Sequence, residues 1–161
     1  MCKGLLSREM YDYLTQHSVE IARKKEMLIK ELFVEETQES ISFNEFFNEY
    51  LDNIDNYLST TRVGKGGSNT CPFVIIGSIV DVHDFDYNED LQYHIVLPYE
   101  KRQETNIDCA SCLSPLGKSL LFKRLNEPVN IQVPAGELHY IINKITVPDI
   151  KAVTASKLSN G

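Results

Sequence analysis

The sequence contains no apolar run of 18 residues, no tryptophan and, between residues 31 and 55, no lysine or arginine. The first absence excludes a membrane-spanning helix, which needs about 20 consecutive apolar residues. Residues 1–6 are too few for the hydrophobic region of a secretory signal, so a cytoplasmic location is expected. The lack of tryptophan decides nothing. The third absence leaves eight acids in residues 31–55 unopposed by basic side chains. Such a stretch repels a phosphate backbone, which argues against nonspecific nucleic-acid binding through it and favours a basic protein surface or a metal ion as its partner. Cysteine is sparse as well. Cys2, Cys71, Cys109 and Cys112 in a cytosolic chain of this size read as reduced thiols rather than as a disulfide framework.

What is present has an ordinary globular balance: 161 residues, 42% hydrophobic and 24% charged, with a formal net charge of −7. That length buries one respectable core, or a small core plus an extension, and excludes a multi-domain enzyme.

Leu6, Met10, Tyr13, Leu14, His17, Ile21, Leu28 and Leu32 recur at three- and four-residue steps, interrupted at Lys24 and Lys25. This predicts an amphipathic helix from Ser7 to about Phe33, with Ser7 as N-cap and Glu9 in its first turn. Ser42 and Glu45 have capping-box spacing and precede a stripe of Phe43, Phe46, Phe47, Tyr50, Leu51, Ile54, Tyr57 and Leu58, which predicts a second helix. Two helices joined by the short stretch 34–41 are expected to fold into an antiparallel hairpin over residues 1–59, with Glu35, Glu36 and Glu39 at its tip. The stripe is expected to be hairpin core, and His17 a core or boundary residue.

Residues 60–72 are rich in glycine and small polar side chains and read as a flexible linker. Gly64-Lys65-Gly66-Gly67 lacks the spacing and the Lys-Ser/Thr ending of a phosphate loop. Beyond it, 73–82 and 92–97 read as strands separated by the acidic turn 84–90. Residues 129–133 and 137–145 read as a hairpin across Pro134-Ala135-Gly136. Ser114-Pro115 starts a helix expected to run to about Leu125 and to set Leu116, Leu120 and Leu121 against the sheet. The fold class is therefore α+β, with a β-domain over 73–148 and a polar, frayed tail over 149–161.

Cys109-Ala110-Ser111-Cys112 has the spacing of a zinc half-site or redox pair. Only Cys71, His83, His94 and His139 remain to complete a four-ligand site, with no reciprocal pair, so two buried or strand-edge thiols are expected. His139 lies in an alternating strand and needs no catalytic role.

The acidic-tipped hairpin, the linker and the order of motifs in the β-domain together resemble the bacterial GreA/GreB family. The motifs are the run from Phe73 to Val80, Tyr93-His94-Ile95-Val96, Leu113-Ser114-Pro115-Leu116-Gly117, and the Pro134-Ala135-Gly136 turn with its flanking strands. The resemblance implies an FKBP-like fold for the C-terminal domain, coiled-coil packing for the hairpin, and RNA polymerase as partner. It further implies that the C-terminal domain seats on the rim of the secondary channel through Leu113, Ser114 and Pro115 while the hairpin enters. Glu36 and Glu39 fall where the family carries an Asp-x-x-Glu pair that helps hold a catalytic Mg²⁺ and prompts backtracked polymerase to hydrolyse its own transcript. On this resemblance the chain is not itself an enzyme, holds no cofactor stably, and shares Mg²⁺ only with polymerase.

Three departures accompany the resemblance. Glu replaces the usual Asp, Ser40 replaces an asparagine, and the hairpin reads as shorter by a turn or more per arm, so that losing ~5 residues withdraws the tip by roughly 7 Å. Leu113 stands at a position that is polar in cleavage factors. Those features bring in the Rnk-like short-hairpin branch, in which the channel is occupied without cleavage. An adaptor whose acidic hairpin binds another basic protein, and a prolyl isomerase of the FKBP-like kind, are the alternative functions.

Overall fold

In the computed structural model, residues 5–99 and 107–147 are described. The chain divides into two compact units, Met1–Asn69 and Thr70–Gly161.

The first unit begins with β1 (Leu5–Leu6) and α1 (Arg8–Leu32). Ser7 caps α1, its hydroxyl oxygen accepting from the Met10 N–H. The expected helix thus starts and stops within a residue of its sequence signals. Next comes α2 (Gln38–Thr60), which starts earlier than the Ser42/Glu45 pattern predicts. Thr37 is its N-cap. The Thr37 hydroxyl accepts from the Ser40 N–H at 3.1 Å, and the Ser40 hydroxyl accepts from the Thr37 N–H at 2.8 Å. Ser40 thus does the work of the Glu or Gln normally found three residues after a cap. The tip shrinks accordingly to residues 33–37.

Met10, Leu14 and Ile21 of α1 and Phe43, Phe47, Tyr50, Ile54 and Leu58 of α2 are buried, so the aromatic stripe is hairpin core as expected. Each side chain taken out of water contributes about 1.5–3 kcal/mol. Phe33, at the end of α1, meets Phe43 edge-on at 5.5 Å, and Phe43 lies 4.9 Å from Phe47, which closes the core beneath the tip. The Lys24/Lys25 interruption is absorbed by the opposite helix: Lys25 Nζ donates to Asn48 Oδ1 at 3.1 Å. Ser18 donates to Asp55 further along.

Residues 60–69 are not the free linker that their composition suggests. β2 (Arg62–Val63) pairs in parallel with β1. The Ser7 N–H donates to Ser68 O at 2.9 Å and the Ser68 N–H to Leu5 O at 2.7 Å. Glycine is required here by proximity, because a Cβ at Gly67 would lie 2.3 Å from the Leu6 carbonyl carbon.

The second unit is a five-stranded mixed sheet with one short helix. Its strands are β3 (Ile79–Asp84), β4 (Glu89–Val96), β5 (Asp108–Ser111), β6 (Pro128–Val133) and β7 (Gly136–Thr146), in the order β5-β4-β3-β7-β6. All neighbours are antiparallel except β4 and β5. Alternation puts Val80, Val82, Ile95, Ile131, Tyr140, Ile142 and Ile145 in the core. The β6–β7 hairpin forms where the sequence places it. Residues 73–78, read as the start of a strand, are buried but not extended into the sheet. The Ser78 hydroxyl donates to Ile75 O, the Gly77 N–H donates to Ile95 O and Ser78 O accepts from the Ile95 N–H. Val74 bonds to the segment after the helix, its N–H donating to Lys123 O and its carbonyl accepting from the Phe122 N–H.

That pairing also explains why α3 (Pro115–Leu120) stops well short of Leu125. Phe122 adopts a left-handed conformation, φ 67°, and its N–H leaves the helical ladder for Val74. Leu120 and Leu121 are buried as expected, while Leu116 is half-buried. The tail expected over 149–161 and Cys2 lie outside the described residues.

Candidate functional site

At the hairpin tip the chain leaves α1 at Phe33, bends through Val34 and Glu35, and enters α2 after Thr37. Glu35, Glu36 and Glu39 are exposed, and Val34 is fully so. Glu39 occupies the first turn of α2, where the partial positive charge of the helix N-terminus stabilises a carboxylate. Glu36 sits one residue before the cap, outside the helix. The two acids thus belong to different local structures three residues apart, held over the Phe33–Phe43–Phe47 cluster. Glu and Asp oxygens are hard ligands suited to Mg²⁺, which keeps most of its waters and is satisfied by one or two carboxylates. Among the described residues no group of three His, Cys, Asp or Glu is placed to hold a metal ion. Ser40, beside Glu39, is buried, and its hydroxyl donates to Thr37 O as well as accepting from the Thr37 N–H. Its proton and one lone pair are thus engaged at the cap.

The second candidate region is the start of α3. Ser114 is the N-cap: its hydroxyl accepts from the Gly117 N–H at 3.0 Å and donates to Ser111 O at 2.7 Å. The hydroxyl is thus engaged inside the domain, where it caps α3. Pro115 follows at the first helical position and is exposed, and Leu113 is half-buried beside it. Gly117 explains how α3 lies so close to the end of β5: a Cβ there would be 2.0 Å from Ser111 O.

Cys109 is in β5, directly opposite His94 on β4, and Cys112 is buried just beyond the strand. Cys71 is buried too, and burial pushes its thiol up to about 12. Phe85, Tyr87 and Tyr99 stand out in solvent rather than lining a cleft, as a prolyl-isomerase pocket requires of its rings.

One cluster had no distinct signal in the sequence. His139 on β7 lies between two carboxylates, with Nδ1 2.9 Å from Asp86 Oδ2 and Nε2 2.9 Å from Glu137 Oε1. The hydrogen bond to Asp86, and then that to Glu137, hold its pKa above the ordinary histidine value. Its partners lie 53 and 2 residues away, and only the β3–β7 register, in which Asp84 faces Tyr140, brings Asp86 alongside.

Comparison with known proteins bears on the second unit above all. Residues 69–147 match the family model described as "Transcription elongation factor, GreA/GreB, C-term". A transcription elongation factor GreA from Clostridium novyi is 32% identical over 94 residues, covering 58% of each chain. One from Chlorobium phaeobacteroides is 33% identical over 99 residues, covering 61% of each. The chain thus spans less than two thirds of the length of these relatives. Among solved structures, a prokaryotic transcription elongation factor GreA/GreB from Nitrosomonas europaea aligns over 91% of this chain and 99% of its own, with 18% identity and a TM-score of 0.45.

Proposed function

We propose, from the premise that this chain belongs to the GreA/GreB family through residues 69–147, that it is a transcription factor acting on RNA polymerase by way of the secondary channel. The observation that carries this reading is the exposed acid trio Glu35, Glu36 and Glu39, held at the end of a packed helical pair in the same chain as a Gre-type C-terminal domain. α1 has 25 residues and is about 37 Å long at 1.5 Å per residue, a length suited to reaching into a deep channel. Leu113 and Pro115 supply the contact on the rim, and Ser114 holds them in shape.

Within the channel, Glu36 and Glu39 place carboxylate oxygens beside the polymerase active centre. They would help to hold a Mg²⁺ there, which would supply Lewis-acid activation of a transcript phosphate and of a water. The part of this chain is to position: the first turn of α2 carries Glu39, and the residue before its N-cap is Glu36. Hydrolysis of the transcript remains the polymerase's own chemistry.

A second reading, occupation of the channel without cleavage, is favoured by the burial of Ser40. A side chain tied into a capping box does not orient a water beside the metal. One assay separates the two. Purified protein is added to a backtracked elongation complex and transcript length is followed. Cleavage predicts shortened transcripts that disappear with Glu36→Ala plus Glu39→Ala. Channel occupation predicts slowed elongation with no shortening. Failure to bind core polymerase at all defeats both and leaves the adaptor alternative.

A further inference from the structure

The turn joining β3 to β4 holds two aromatic rings in water, Phe85 at 57% and Tyr87 at 76% exposure. They are not carried on a loose loop. Asp84 is buried, and its Oδ1 accepts from the N–H groups of Asp86 at 2.8 Å and Tyr87 at 3.3 Å. The Phe85 N–H donates to the His139 carbonyl at 3.0 Å, and the His139 imidazole grips Asp86 from the neighbouring strand. On the other flank His83 Nδ1 lies 2.8 Å from Asp90, and its ring meets that of Phe85 edge-on at 5.6 Å.

This arrangement fixes the backbone that carries both rings, and the His83 contact orients that of Phe85, before any partner arrives. Side chains ordered in advance lose little entropy on association, and aromatic residues on rigid supports are what the energetically dominant spots of protein interfaces consist of.

The charge around the rings narrows the partner. Residues 79–97 contain five acids, Asp81, Asp84, Asp86, Glu89 and Asp90, and no lysine or arginine. Glu137 adds another carboxylate across the His139 bridge. A phosphate backbone or an anionic lipid surface is repelled by such a field. An arginine side chain answers both features: its flat cation stacks on an exposed ring while its N–H donors meet a carboxylate in a paired geometry. Lysine, a compact point charge, matches the carboxylates but not the rings as well. The geometry points to the β3–β4 turn as a docking site for an arginine-bearing basic segment of a protein partner. This goes beyond the channel reading, since neither the tip acids nor the start of α3 takes part.

The test uses the full chain, isotope-labelled, titrated with a short Arg-Gly-Ser peptide and with its Lys-Gly-Ser counterpart while amide shifts are followed. The expected result is that shifts centre on residues 83–90 and that the arginine peptide binds about three-fold or more tighter than the lysine one. Phe85→Ala plus Tyr87→Ala then weakens binding about ten-fold. Both positions are exposed, so the variant keeps its fold, which its circular dichroism checks. As an independent route, Asp86→Asn plus Glu89→Gln lowers affinity and flattens its salt dependence. Equal affinity of the ring-deleted variant, shifts centred on residues 31–39, or equal binding of the two peptides overturns the proposal.

Discussion

His17 Nε2 and Tyr50 Oη lie 2.7 Å apart, a part-buried polar contact that joins the two helices. Burial, reinforced by the nearby Lys24 charge, lowers the His17 pKa from 6.5 to about 4. The imidazole is therefore neutral in the folded chain and charges readily only when unfolded.

The sign of the resulting pH effect follows. The unfolded state takes up a proton near pH 6.5 and the folded state near 4. Stability is thus unaffected above 6.5 and falls progressively between 6.5 and 4, by about 3 kcal/mol at most. Thermal melting of the wild type and of His17→Phe across that window checks this: the variant is expected to lose the acid-side decline. A variant with the wild-type profile would show that another group is responsible. Tyr50→Phe is expected to cost about 1–2 kcal/mol at neutral pH, because it leaves the imidazole without its partner.

Gly117→Ala forces a methyl group to within 2.0 Å of a backbone oxygen that cannot swing away. Overpacking of this kind costs about 1–3 kcal/mol and displaces α3 from β5. Chemical denaturation of the variant measures the loss, and an unchanged midpoint would mean that the helix and strand are not in close approach.

Ser114→Ala removes a cap and is expected to cost about 1 kcal/mol, with Ser114→Thr recovering most of it. Pro115→Ala is exposed and should stay within about 0.5 kcal/mol of wild type. If Pro115 and Leu113 form the contact on polymerase, Pro115→Ala weakens co-purification with core polymerase at an unaltered melting temperature. Unaltered co-purification would remove Pro115 from that surface.

His139 behaves opposite to His17. Its folded pKa is raised, so the stability it lends is fully present below pH 6.5 and disappears as pH rises through the raised value. The groups facing it are Asp86 from the β3–β4 turn and Glu137 on its own strand, with His83 and Asp90 on the far flank of the turn. An NMR titration is expected to give His139 a midpoint above 6.5 that drops toward it on Asp86→Asn. The melting-temperature gap to His139→Gln should close with rising pH and shrink with added salt.

The helices were legible because each is written in local rules: Ser7 before a three-and-four-residue apolar rhythm, and the aromatic stripe behind Phe43. The start of α2 differs from the Ser42/Glu45 signal because two cap patterns compete within six residues. Thr37/Ser40 prevails by satisfying two backbone donors with short side chains, which the conventional Glu at Glu45 obscured. The β6–β7 hairpin followed from its turn residues. The segment 73–78 and the early end of α3 did not, since each depends on the other through the Val74 to Phe122 and Lys123 bonds, a pairing nearly 50 residues apart that no local pattern encodes. The same holds for the candidate sites. Glu36, Glu39 and Pro115 could be picked out by motif, whereas the internal use of Ser114 and the bridge from His139 to Asp86 emerge only once the strands are in register.

The parallel pairing of Leu5–Leu6 with Arg62–Val63 ties the two arms of the hairpin at the end opposite Glu36. A protease that nicked the chain at the exposed tip would therefore not release either arm. The severed halves would stay clasped by β1, β2 and the buried seam between α1 and α2, so that two separately expressed fragments divided at residue 35 are expected to reassemble on mixing.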